Sequence, residues 1–234
     1  MEKLFRLFII VGVFLFSGVS FCFAEEIKNA ISEDIRIQNH VSDIGFKLLN
    51  ANKIDVRMIF VYDSENSKIN LEPGLTKREI IAYEKNLQFA SNDDEIAAFL
   101  AREICKSAES YSGAWRGFIS SVQIKCAPKK YEIFFDKRGV DFMVTAGYNP
   151  LGMITYMNKS YPQKRFDKFA RTNLTSKRLA NIYEYIYTKY PSFLADNKYI
   201  KNEAYQHFLL SSVENRKKLQ EKIESGSKKA VKYE

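Results

Sequence analysis

Apolar positions recur at helical spacing through residues 27–51, where Ile31, Ile35, Val41, Ile44, Leu48 and Leu49 predict one buried stripe. Val56 to Tyr62 (VRMIFVY) is rich in β-branched and aromatic residues and predicts a strand, followed by a turn over Asp63 to Lys68. Ile69-Asn70-Leu71 predicts a second short strand, closed by Pro73-Gly74, and Glu79 to Tyr83 (EIIAY) a third. A meander of this kind leaves an edge exposed.

The pattern then turns helical and stays so. Ser91 or Asn92 caps a helix whose first turn holds Asp93, Asp94 and Glu95, acids that suit the positive end of the helix dipole. Ile96, Phe99, Leu100 and Ile104 give that helix its apolar face, and Gly113 ends it. Helices are predicted over 114–125, over 129–146 up to Gly147, from Pro150 to Lys159, from Thr175 or Ser176 to Tyr190 before Pro191, and over roughly 198–224. The order predicts an α+β fold, mostly helical, with a small antiparallel sheet beside the helix that starts near Asp93.

Composition narrows the class. The 234 residues are 46% hydrophobic and 14% aromatic, which supports a packed core and excludes a chain that is mainly disordered. Ten glycines and five prolines without a period exclude collagen-like and repeat architectures. Three cysteines are too few for a disulfide-stapled mini-protein. Of these, Cys105 and Cys126 either pair in an oxidising compartment or serve as two thiols.

Lys3 and Arg6, an apolar run from Leu7 to Gly18, and Cys22-Phe23-Ala24 before two glutamates predict a secretory signal cleaved after Ala24. An uncleaved anchor is the alternative. Export places the mature chain in the periplasm or outside the cell. The net charge of +8 is spread along the sequence and biased only in the tail, at Lys217, Lys218, Lys222, Lys228, Lys229 and Lys232. That tail, with Ser225-Gly226-Ser227, is expected to be flexible and to offer a contact for anionic membrane surfaces. No nucleic-acid motif is present. The domain plan is a signal over 1–24, a main domain over 25–197, and a C-terminal helix with its basic tail over 198–234.

The chemistry concentrates in Arg102-Glu103-Ile104-Cys105-Lys106. This segment resembles the zincin helix H-E-x-x-H with both histidines replaced. Three further segments follow in order. Glu132-Ile-Phe-Phe-Asp136-Lys-Arg-Gly139 resembles an E-x-x-A-D-x-x-G run. Ala146-Gly147-Tyr148-Asn149-Pro150 resembles A-G-Y-D-P. Thr172-Asn173-Leu174 through Arg178-Leu179 resembles T-H-P-x-x-x-R-L. Together, over about residues 30–191, they resemble the gluzincin metalloendopeptidases that include HtpX, BepA and the CAAX prenyl endopeptidases, peptidase family M forty-eight.

The resemblance implies a zincin-like domain in which positions 102, 106 and 132 bind zinc, Glu103 is the general base, Asp136 and Arg178 support the ligands, and position 173 carries a histidine. Here the first two ligand positions hold Arg102 and Lys106, Glu132 is kept, and Asn173 replaces the last histidine. An arginine has no free acceptor for a cation, and a lysine must lose its proton to bind one. No zinc is therefore expected. His40 and His207, the two histidines of the chain, fall outside the matching segments.

Taken alone, R-E-x-x-K is a solvated charge set on a helix surface. With its flanking segments, it predicts that Arg102 and Lys106 join Glu103 and Glu132 in one salt-bridge cluster, with Arg178 reaching Asp136 or a carbonyl. Tyr148 and the Tyr183, Tyr185, Tyr187 series are expected to pack rather than to catalyse, and Trp115 to line the core or a cleft. The first function expected is that of a metal-free pseudopeptidase, an adaptor or chaperone that binds extended polypeptide at the Glu79 to Tyr83 edge. The alternatives are an active metalloendopeptidase with unusual ligands and attachment to the envelope through residues 215–234.

Overall fold

The computed structural model describes residues 32–64, 78–110, 126–161 and 175–234. The expected signal over 1–24, the strand at Ile69, Pro73-Gly74, Gly113, Trp115, the helix over 114–125 and Asn173 lie outside these residues. The chain divides into two compact units, one up to His40 and one from Val41 onward. Helix α1 covers 32–51. In the first unit Ile35 is exposed, against its expected place on a buried stripe. In the second, Val41, Ile44, Leu48 and Leu49 are buried as the spacing predicts.

Two strands follow, β1 (Ile59–Asp63) and β2 (Glu79–Tyr83). They pair in parallel, with Ile59 opposite Glu79 and Asp63 opposite Tyr83. The expected antiparallel sheet is thus corrected. A hairpin needs only a few residues between its strands, whereas residues 64–78 provide the longer connection that a parallel pair requires. The short helix α2 (Glu84–Leu87) leads to α3 (Asp93–Ser110), α4 (Pro128–Thr145), α5 (Leu151–Ser160), α6 (Thr175–Lys189), α7 (Ser192–Ala195), α8 (Glu203–Ser211) and α9 (Val213–Glu224). The second unit is mostly helical with a small sheet.

Helix α3 is central. It packs on α4 and α5, and both of these pack on α6. The sequence gives α3 one apolar stripe, yet Ala97, Ala98, Leu100, Ala101 and Ile104 are all inaccessible to solvent. The alanines let neighbouring helices approach from more than one side. That is why a charge on α3 ends up inside the molecule. Its start is fixed by Asn92, whose Oδ1 accepts from Glu95 N (3.1 Å), and by Glu95, whose Oε2 accepts from Ser91 N (2.6 Å). Asp94 ties this end to the rest of the fold. Its two oxygens accept from Asn149 N (2.8 Å) and Tyr199 Oη (2.9 Å).

Helix α4 ends at Gly147, whose φ is +80°. Tyr148 N donates to Met143 O and Gly147 N to Val144 O, the paired bonds that close a helix through a left-handed residue. The turn delivers Asn149-Pro150 to the start of α5. The single C-terminal helix expected over 198–224 is instead two. Asn202 caps α8 by accepting from Tyr205 N, and the chain bends at Ser212 before α9. The tail, expected to be flexible, is docked: Tyr233 is buried and donates to Glu184 Oε2 (3.0 Å).

Candidate functional site

Three helices bring the predicted charges together. On α4, Glu132 and Asp136 stand one turn apart on one face. Gly139 continues that face. A Cβ there would lie 3.3 Å from Arg102 Cγ and 2.9 Å from the end of Met153, so the missing side chain lets α3 come close. Arg102 then meets both carboxylates. Its Nε donates to Asp136 Oδ1 (2.7 Å), and its Nη2 to Glu132 Oε2 (2.6 Å).

Arg178, from α6, closes the set. Its Nε and Nη2 donate to the two oxygens of Asp136 (2.8 and 2.7 Å), a forked pairing with built-in geometric specificity. Its Nη2 also lies 3.1 Å from Glu132 Oε2. Tyr161, just past α5, accepts from Arg102 Nη1 (3.0 Å) and offers its ring to Arg178, with the guanidinium carbon 5.0 Å from the ring centre. All four charged side chains are buried, at 5% exposure or less.

Lys106 and Glu103 form a neighbouring pair on α3 at 2.7 Å. Lys106 is buried, while Glu103 retains 21% exposure. The sequence predicts one cluster of Arg102, Lys106, Glu103 and Glu132; the structure pairs Arg102 with Glu132 and Lys106 with Glu103, and adds Asp136 and Arg178 to the set. A first group joins Arg102 to Asp136, Glu132 and Arg178, and Lys106, in contact with Glu103, also acts on Glu132 through its charge. Asp136, expected in a supporting role, is the centre of the first group. Three cations face three carboxylates, so the interior carries no net charge from these groups.

The electrostatics follow the geometry. Burial alone would raise both buried carboxylates, but Arg102, Arg178 and Lys106 hold Glu132 below the ordinary range. Arg178 and Arg102 do the same for Asp136, through charge and hydrogen bonds. Burial likewise opposes the charge on Arg102, and Tyr161, Asp136, Glu132 and Glu103 together raise its pKa well above the usual arginine value. Every member of the inner group is fully ionised at neutral pH.

The sequence did not signal the Arg102–Asp136 contact or the part of Tyr161, which stands in none of the matching segments. Of the histidines, His207 pairs its Nδ1 with Asn158 Nδ2 (3.1 Å) on α5, and His40 is exposed. Cys105 is buried and Cys126 exposed, both as thiols, and burial pushes the Cys105 thiol up. Tyr185 packs and also donates to Asp141 (2.9 Å). Among the described residues, no group of three metal-ligating side chains occurs and no helix is long and apolar enough to cross a membrane. No protein-family model, no curated protein and no solved structure matches the chain.

Proposed function

We propose that this protein is an exported, metal-free pseudopeptidase with a zincin-like domain, which binds extended polypeptide in the cell envelope as an adaptor or chaperone. The observation that carries this reading is Arg102, buried at the place where the resemblance puts the first metal ligand and held by two carboxylates. The residues at the three ligand positions do not fit zinc. A guanidinium cannot coordinate it, the Lys106 ammonium is bound to Glu103, and Glu132 Oε2 is already shared by two arginines. No hydrolytic step through a metal-bound water is derived for this site.

The polypeptide surface is the outer edge of β2. Ile59 N donates to Arg78 O (2.8 Å), which sets the parallel ladder. In such a ladder alternate residues bond the same neighbour, so Glu79, Ile81 and Tyr83 turn their backbone groups away from β1. Among the described residues no third strand pairs with this edge, which suits Glu79 and Ile81 to a strand added by a partner.

Two measurements test the proposal. Elemental analysis of purified protein should find no stoichiometric zinc, and casein should remain intact; one zinc per chain would overturn the metal-free assignment. A fluorescent unstructured peptide should bind the wild-type protein, and Ile81→Pro should abolish binding by removing an outward donor while sparing the β1 ladder. Equal affinity in the folded variant would overturn strand addition.

A further inference from the structure

The C-terminal ten residues form a clamped loop. Helix α9 closes at Gly226, whose φ is +61°. Ser227 N donates to Lys222 O and Gly226 N to Ile223 O, so the chain reverses direction there. Residues 227–234 then run back beside α9. The Asn215 side chain grips the backbone of Glu234 at both its polar groups, donating to O (2.8 Å) and accepting from N (3.1 Å). Lys218 binds the Glu234 carboxylate (2.9 Å). Tyr233 is 4% exposed and donates to Glu184, which also holds Lys222 (2.6 Å).

Between the turn and the clamp lie Lys228, Lys229, Ala230, Val231 and Lys232. All three lysines are exposed, and among the described residues none has an anionic partner. By contrast, Lys218 and Lys222 on α9 are neutralised by Glu234 and Glu184. The fold therefore pairs the cations that hold the loop and leaves unpaired those that the loop presents. No acid lies between Ser225 and Lys232.

We propose that this loop, Ser225 to Lys232, is a docking surface for an anionic lipid bilayer. The partner chemistry follows from the residue types. Lysines are compact point charges suited to diffuse headgroup charge, whereas nucleic-acid recognition favours arginine forks and stacking aromatics, and the loop has neither. Ala230 and Val231, set between the cations, are small apolar groups that can enter the headgroup layer. Clamping at Gly226 and Tyr233 holds the lysines together, so less ordering remains to be done on binding. Each lysine near an anionic surface is worth about a fivefold change in partitioning, and three together on the order of a hundredfold.

The test is co-sedimentation of the full chain with vesicles of phosphatidylcholine alone and with about a third phosphatidylglycerol, at low and high salt. The difference between the two vesicle types is the readout, and its change in the loop variant separates the loop from the N-terminal stretch with Lys3 and Arg6. Binding specific to the anionic vesicles is expected, weakening with salt and falling on the order of a hundredfold in Lys228→Gln/Lys229→Gln/Lys232→Gln. Lys198→Gln/Lys201→Gln, outside the loop, should bind as the wild type does. No preference for anionic vesicles, a preference unchanged in the triple variant, or retention on duplex DNA without vesicle binding would each overturn the proposal.

Discussion

Arg102 Nε and Asp136 Oδ1 lie 2.7 Å apart across the interface of α3 and α4, and each side chain is about 1% exposed. The contact joins two helices through their charges at a depth where water cannot replace either partner. Asp136→Ala would leave Arg102 and Arg178 short of their shared acceptor. Loss of one partner from such a buried set is expected to destabilise the fold by about 3–5 kcal/mol, measured as a shift in the urea midpoint. A loss below about 1 kcal/mol would mean that the arginines find other partners without strain.

Acid should weaken the same contacts. Glu132 and Asp136 have folded pKa values below their unfolded ones. Their contribution is complete above the unfolded values, near pH 4, and is lost as pH falls through the depressed folded values. Urea midpoints should thus decline from about pH 4 downward, and Asp136→Asn should flatten that decline. An equal slope in the variant would assign acid sensitivity to other carboxylates.

Two glycines should differ in their tolerance of a methyl group. At Gly152 a Cβ would stand 2.8–2.9 Å from the Cβ and backbone of Asp94, which Asn149 and Tyr199 hold in place. Gly152→Ala is expected to destabilise by about 2–3 kcal/mol. At Gly139 the nearest obstacle is the flexible end of Met153, and the gain in helix propensity, up to about 1 kcal/mol, offsets part of the crowding against Arg102. Gly139→Ala should cost about 1 kcal/mol or less. Chemical denaturation of both variants checks the order.

Arg102→His combined with Lys106→His tests the resemblance directly. The double variant should take up one zinc per chain, measured by elemental analysis after dialysis. Its stability should be low without zinc, because Glu132 then keeps only Arg178, and should recover with the metal. A variant that folds, as judged by circular dichroism, and takes up no zinc would separate these positions from any metal-site geometry.

Local patterns were legible where the chemistry is local. The acids after Asn92 mark the start of α3, Gly147 the end of α4 and Pro191 the end of α6, because caps and breakers act on neighbouring backbone groups. The helical character of the second unit and the residues worth inspecting, Arg102, Lys106, Glu132, Asp136 and Arg178, could all be named from the sequence. What only the tertiary structure decided is how those residues pair. Strand direction depended on the long connection between β1 and β2, and the depth of Arg102 on alanines that let helices close in around α3. Asp136 became the centre because α3 and α6 each bring an arginine to it on α4, and a hydrogen bond across 34 residues leaves no periodic trace in the chain.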